Sequence, residues 1–292
     1  MAAVNKLMVD AIFDQPEAMG SFDASQFAYF REISANKRMV FLAFAPKCAG
    51  TFLRTAIIYA TEGQLMRMTH AQGGRDAQPY LPYFLAYYLS GPKQRTTITH
   101  VHMMAHPANC RFLEAFDIRP VIMRRSIPDM LVSFADMLDT DPVARINGLN
   151  CQIPSDWLKL EQPLKADFVI DVLGPWYVNF FASWKSYVKE AADRVLVLDF
   201  DEVKNNPLAS LEKALAHSRL PVERKVAEAA IERAWKKKEE LRYNKGEAGR
   251  GNAFFDATQL ERLERLIGYY PQLSEWKGVL MGAGATGAVK AA

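Results

Sequence analysis

Between Lys37-Arg38 and Pro46 the chain runs Met39-Val-Phe-Leu-Ala-Phe-Ala45 without a polar side chain. A short, unbroken apolar run predicts a strand covered on both faces, as in a parallel sheet. Beyond Gly50 the period changes: Phe52, Leu53, Ala56, Ile57 and Ala60 recur at helical spacing, and Gly63 offers a stop. Thr96-Thr-Ile-Thr-His-Val-His102 alternates and is rich in β-branched residues, predicting a second strand that ends in histidines. Pro120-Val-Ile-Met123 predicts a third strand and Arg194-Val-Leu-Val-Leu-Asp-Phe200 a fourth. Helices are expected over 128–138, with Pro in its first turn, and over 176–192, 207–217 and 222–241. Strand and helix alternate, so the class is α/β: a single domain whose mostly parallel central sheet is flanked by helices.

Two stretches break the alternation. Pro79 to Tyr88 is rich in Tyr, Phe and Leu and reads as a helix or loop that packs in the core or lines an apolar cavity. From Asp139 to Leu173 the pattern weakens around Pro142, Pro154 and Pro163, which marks a long insertion or lid. The domain is expected to span 1–280. The small, featureless residues 281–292 are expected to form a disordered tail.

Composition narrows the field. With 292 residues and 50% hydrophobic positions, the chain can bury one large core without staples. The 36 basic and 33 acidic residues nearly cancel, which argues against bulk attraction to nucleic acid and leaves any functional positive charge local. Three cysteines without regular spacing, Cys48, Cys110 and Cys151, read as reduced thiols. Met1 to Asp14 shows no continuous hydrophobic region, and no run reaches the roughly 18 apolar residues of a membrane span. The expected location is therefore the cytoplasm.

The local charge sits where the first strand gives way to a helix, in Pro46-Lys-Cys-Ala-Gly-Thr51. A short loop there aims backbone N–H groups and a helix N-terminus at one point, which attracts an anion. Lys47 adds an ammonium, Thr51 a hydroxyl, and Gly50 a close backbone approach. Lys47 precedes the glycine, unlike the order G-x-x-x-x-G-K-[ST], so ATP is disfavoured as the main ligand. A plain turn with an exposed lysine would need no more than these residues. Further on, Arg125 stands at the end of the third strand and Ser133 on the following helix, so both can reach one group at the carboxyl edge of the sheet. Asp129, in the first turn of that helix, suits the helix dipole.

In sequence, Pro46 to Thr51 resembles the 5′-phosphosulfate loop of sulfotransferases that use 3′-phosphoadenosine 5′-phosphosulfate (PAPS), where P-K-S-G-T-T or P-K-T-A-G-T occurs. Arg125 to Ser133 is similar to that family's 3′-phosphate motif R-N-P-K-D-V-A-V-S, keeping Arg, Asp and Ser at its first, fifth and ninth places. Asn244-Lys-Gly-Glu-Ala-Gly-Arg-Gly251 resembles the family's R-K-G-x-x-G loop, with Asn244 in place of the leading Arg. Trp176 to Tyr187 and Leu198 to Val203 echo the aromatic helix and the L-x-Y-E-D-M segment, with Phe200 in place of Tyr. The resemblance runs over about residues 38–275 and leaves the acceptor-binding parts unmatched. It implies a phosphate-loop-like sulfotransferase fold. It also implies that Lys47 holds the 5′-phosphate and bridging oxygen, that Cys48, Ala49, Gly50, Thr51 and Phe52 complete the cradle, and that Arg125, Ser133, Lys245 and Gly246 hold the 3′-phosphate; by charge economy, Arg250 is expected to replace the cation lost at Asn244.

Sulfuryl transfer needs a base for the acceptor proton, and histidine suits that task. Where the family carries K-T-H-L-P, this chain has Ile98-Thr-His-Val-His-Met103. His100 and His102 share one strand face, so both can reach the site; an apolar residue follows His102 as Leu does in the family, which favours His102. His100, His102, His106 and Cys110 could alternatively form a zinc site, although plain packing of His106 accounts for that residue better. The expected activity is transfer from PAPS, without a metal, to the hydroxyl or amine of a small or lipid-like molecule. The competing readings are a phosphate-loop kinase or hydrolase and a non-catalytic nucleotide-binding protein. The acceptor and the oligomeric state are not legible.

Overall fold

The computed structural model describes residues 24–35, 37–66, 68–69, 79–80, 84, 96–146, 151–237 and 249–282. Its strands β1 (Met39–Ala43), β2 (Gln64–Leu65), β3 (Thr97–Val101), β4 (Pro120–Arg124) and β5 (Leu196–Asp199) form one parallel sheet in the order β2-β3-β1-β4-β5. β1 is central. Val40, Phe41, Leu42 and Ala43 are all fully buried, as a strand covered on both faces requires, and each large side chain contributes roughly 1.5–3 kcal/mol. β3 and β4 lie on opposite sides of β1, so a crevice opens at its carboxyl end, flanked by the loops that follow β1, β3 and β4.

Helix α1 (Ala24–Ser34) precedes the sheet, and α2 (Gly50–Thr61) follows β1 with its predicted apolar face buried. The left-handed residue that ends α2 is Glu62, φ 50°, one place before the expected Gly63. α3 (Pro107–Ala115) links β3 to β4, and α4 (Ile127–Thr140) leaves β4 with Ser126 as its cap: the Ser126 hydroxyl accepts from the Asp129 amide at 3.3 Å. The later helices are α5 (Pro142–Ile146), α6 (Gln162–Phe168), α7 (Gly174–Glu190), α8 (Phe200–Asn205), α9 (Pro207–His217) and α10 (Arg224–Lys236). They are followed by α11 (Arg250–Phe254), α12 (Ala257–Gly268) and α13 (Lys277–Met281).

The stretch with the weak apolar pattern is largely helical where it is described. Trp157 is fully buried, and its indole N–H donates to Asp139 Oδ1 at 2.9 Å. Val169–Leu173 forms a wide π-helical turn that runs straight into α7. Within Pro79 to Tyr88, only Pro79, Tyr80 and Phe84 are among the described residues; Phe84 is buried against Phe112 and Phe116. Of the tail, Met281 still belongs to α13, and 283–292 lie outside the described residues.

Candidate active site

The loop between β1 and α2 turns sharply because two side-chain-bearing residues adopt left-handed backbone, Lys47 at φ 65° and Ala49 at φ 64°. Each conformation costs about 1–2 kcal/mol, and strain of this kind collects at binding loops, where successive amides form an anion-binding nest. The turn opens directly into α2, whose first amides have no side-chain cap. Cys48 faces inward: its thiol donates to the Ala45 carbonyl at 2.8 Å, and burial, opposed by Arg125, pushes its pKa up to about 12. A neutral thiol is thus fixed inside, and only the main chain of this residue is left to face a ligand. Lys47, Ala49 and Thr51 are half-buried. The Phe52 amide donates to the Ala49 carbonyl at 3.1 Å, and its ring packs on Trp235 with centroids 4.6 Å apart.

Gly50 is required by its neighbours. A Cβ there would lie 2.4 Å from the Phe44 ring and 3.1 Å from both Cε1 and Nε2 of His100. The missing side chain therefore lets the His100 imidazole pack on the start of α2. His100 lies in β3 opposite Leu42 and is 7% exposed. His102, half-buried, meets it edge to face, with centroids 5.7 Å apart.

Arg125 joins the second motif to the first. Its Nη1 donates to the Lys47 carbonyl at 2.6 Å, and its guanidinium lies over the Phe200 ring, 4.0 Å from the centroid. Burial lowers its pKa, opposed chiefly by Asp129, and its Nε is buried without a hydrogen-bond acceptor among the described residues. Ser133 is buried one helical turn beyond Asp129. The Asp129 carboxylate accepts from the amides of Gly249 and Gly251 at 2.9 and 2.8 Å, which draws the start of α11 onto α4. Arg250 is held by Asp136 at 2.7 Å, yet stands close enough to Arg125 to help lower its pKa. Lys245 and Gly246 lie outside the described residues.

Several bracing residues had no role in the sequence reading. The Tyr177 hydroxyl donates to the Pro46 carbonyl at 3.2 Å, and the Trp184 indole donates to the Met103 carbonyl at 2.9 Å. The Ala105 amide donates to Ser183 Oγ at 3.0 Å. Thus α7 fixes both the loop after β1 and the chain just beyond His102. The aromatic spacing of 176–187 was the available signal, but it did not say which loops the helix would hold. Phe200, whose missing hydroxyl stood out in the sequence, supplies a cation–π face for Arg125 instead.

The chain covers 89% of its length against 89% of a solved mouse sulfotransferase, SULT7A1, complexed with PAP, at 14% identity and a TM-score of 0.60. The fold is that of the sulfotransferases. Two retinol dehydratase structures also align. One, in complex with androsterone and the inactive cofactor PAP, matches at 12% identity and TM-score 0.47, covering 82% of this chain and 81% of that one. The other, in a complex with retinol and PAP, matches at 11% identity and TM-score 0.46, covering 86% of each. No family model matches the sequence, and no curated protein does. Within this sulfotransferase fold, Lys47, His100 and Arg125 all stand at the carboxyl edge of the sheet.

The zinc arrangement does not assemble: His106 is exposed before the first turn of α3, and no three potential ligands converge among the described residues. Burial, and then Glu114 and Glu190, push the Cys110 thiol up to about 12. No helix among the described residues is long and apolar enough to cross a membrane.

Proposed function

We propose that this chain transfers a sulfuryl group from PAPS to the hydroxyl or amine of a small or lipid-like acceptor. The observation that carries the reading is the 2.6 Å contact from Arg125 to the Lys47 carbonyl, which brings both phosphate motifs together at the N-terminus of α2. The donor set fits a nucleotide with two separated anionic ends. Left-handed turns at Lys47 and Ala49 leave amides and an uncapped helix start for one end, and the buried Arg125 Nε offers a donor for the other. The neighbouring sulfotransferase with PAP, the product of PAPS, supports the same ligand.

On this reading PAPS supplies the sulfuryl group and leaves as PAP. Lys47, with the amides of Cys48, Ala49, Gly50 and Thr51, holds the 5′-phosphate and meets the charge that grows on the bridging oxygen. Arg125 and Ser133 hold the 3′-phosphate, with Lys245, Gly246 and Arg250 over it. The packing of His100 against Gly50 supports His100, rather than His102, as the base that takes the acceptor proton, because the base must sit beside the transferred group. The segment 139–173 is our choice for the acceptor side, and we place the enzyme in the cytoplasm.

The deciding experiment is turnover of radiolabelled PAPS with a panel of phenolic, lipid, sugar and peptide acceptors. Label transfer to one class, abolished by Lys47→Ala, is the expected result. PAP binding without transfer to any acceptor would favour the non-catalytic reading, and hydrolysis of ATP in preference to use of PAPS would favour the kinase or hydrolase reading.

A further inference from the structure

The opposite end of the sheet holds a second cluster of charge. A cavity of about 1440 Å³ opens at the amino ends of the strands, lined by Met39 where β1 begins and by Thr96 and Arg119 just before β3 and β4. Arg194, two residues before β5, completes that edge. Among the described residues, six cations line the cavity, Arg31, Lys37, Arg38, Arg119, Arg194 and Arg219, against one carboxylate, Asp117. These described lining residues sum to a net charge of +5, while the whole chain carries +3.

Asp117 is already committed. It takes Arg219 at 2.5 Å and Arg194 at 3.3 Å, and although burial would raise its carboxyl, those two guanidinium groups hold it below the usual range. Both Asp117, at φ 49°, and Arg219, at φ 59°, adopt left-handed backbone, so strain accompanies the pair that shapes this wall. The Nε atoms of Arg119 and Arg194 are buried without a hydrogen-bond acceptor among the described residues. Nearby His217 is held below its ordinary pKa chiefly by burial, and Arg119 and Arg219 add to the effect, so positive potential extends beyond the ion pairs.

We propose that this cavity is a second anion site, which takes a compact molecule bearing several phosphate or sulfate groups. Guanidinium forks match the oxygens of such groups two at a time. The cations come from four separate parts of the chain and ring a concave space, unlike the basic stripe that a nucleic-acid strand follows. The lining contains neither histidine nor cysteine among the described residues, and chemistry in open α/β sheets belongs to the other edge, so the site is proposed to bind and not to catalyse. It stands independently of the function proposed above.

The test is calorimetric titration of the full chain with inositol hexakisphosphate, a soluble probe with clustered phosphates. One molecule should bind per chain, at least tenfold more weakly in Arg38→Glu/Arg219→Gln and with unchanged affinity in Lys47→Ala. No binding, equal binding by wild type and the double variant, or loss in Lys47→Ala would each overturn the site. If that double variant does not fold by thermal melting, Arg31→Gln/Arg38→Gln, both exposed, replaces it and should weaken binding in the same direction. Sedimentation with phosphatidylcholine vesicles containing phosphatidylinositol bisphosphate distinguishes the sources of the phosphates. Capture that the double variant loses assigns them to a lipid headgroup, whereas binding of the soluble probe without vesicle capture assigns them to a free anion.

Discussion

Asp129 Oδ1 accepts from the Gly251 amide at 2.8 Å while its other oxygen takes the Gly249 amide at 2.9 Å, so one carboxylate ties α11 to the first turn of α4. By charge alone, a carboxylate beside the proposed 3′-phosphate site should weaken anion binding; by anchoring this loop, it should strengthen it. Asp129→Ala is expected to lower stability by about 2–4 kcal/mol, the loss of two charge-assisted hydrogen bonds, and to weaken PAP binding at least tenfold. Denaturant melts and calorimetry measure the two effects. Tighter PAP binding in the variant would mean that charge outweighs anchoring. Gly251→Ala offers a neutral check, since its Cβ would lie 2.3 Å from that of Pro128 and should displace the same loop.

Arg125→Ala should cut PAP affinity by about 100-fold, and Ser133→Ala by less, because a charged donor contributes roughly 1.5–3 kcal/mol and a neutral one about 1 kcal/mol. Arg125→Lys should not restore affinity, since an ammonium lacks the fork that reaches both the Lys47 carbonyl and a phosphate, and it stacks less well on Phe200. Affinities for adenosine phosphates with and without the 3′-phosphate check the assignment. Equal wild-type affinity for both would remove Arg125 from 3′-phosphate binding.

The strand and helix pattern was legible because core periodicity is local: 207–217 matches α9 end to end, and β1 lies inside the predicted apolar run. The gathering of the site was legible only through the spacing within its two motifs. What stayed hidden depends on partners distant in the chain. Asp129 read as a dipole residue because nothing local reveals an acceptor for amides about 120 residues away. Gly50 read as room for a ligand, yet the atoms that forbid a side chain there belong to Phe44 and His100. The basic cavity was invisible for the same reason, since its cations are scattered from Arg31 to Arg219 and cancel in the overall balance.

Lys47→Ala should lower kcat far more than it weakens PAP binding. Its charge is needed most when the bridging oxygen becomes anionic, so the loss falls on the transition state. Single-turnover rates set beside PAP affinities test this. A fall in affinity with unchanged turnover would make Lys47 a binding residue only.

His217 yields a pH dependence of stability. Its Nε2 lies 3.1 Å from the Arg194 carbonyl, but burial, reinforced by Arg119 and Arg219, keeps its folded pKa below the ordinary value. The unfolded chain therefore binds the proton first as pH falls through about 6.5, so stability is lost below that pH and unaffected above it. The melting temperature should drop more between pH 7 and 5.5 in wild type than in His217→Gln. Equal drops would assign the acid sensitivity to other groups.

The choice between the two histidines follows from where the transferred group must sit. A base has to reach the acceptor oxygen as it approaches sulfur, and in the function proposed above sulfur lies beside the N-terminus of α2. The His100 ring packs against that terminus, 3.1 Å from where a Gly50 Cβ would be, while the nearest atoms to that Cβ include none of His102, whose ring centroid lies 5.7 Å from that of His100. His100→Gln is therefore expected to slow transfer by about 100-fold or more with PAP affinity nearly intact, because the base touches the acceptor and not the phosphates. His102→Gln should cost less and act mainly on the acceptor KM. The acid limb of the wild-type rate profile, where the base takes up a proton, should disappear in His100→Gln and persist in His102→Gln. Loss of that limb in His102→Gln alone would transfer the role to His102, and near wild-type rates in both variants would place the base outside β3.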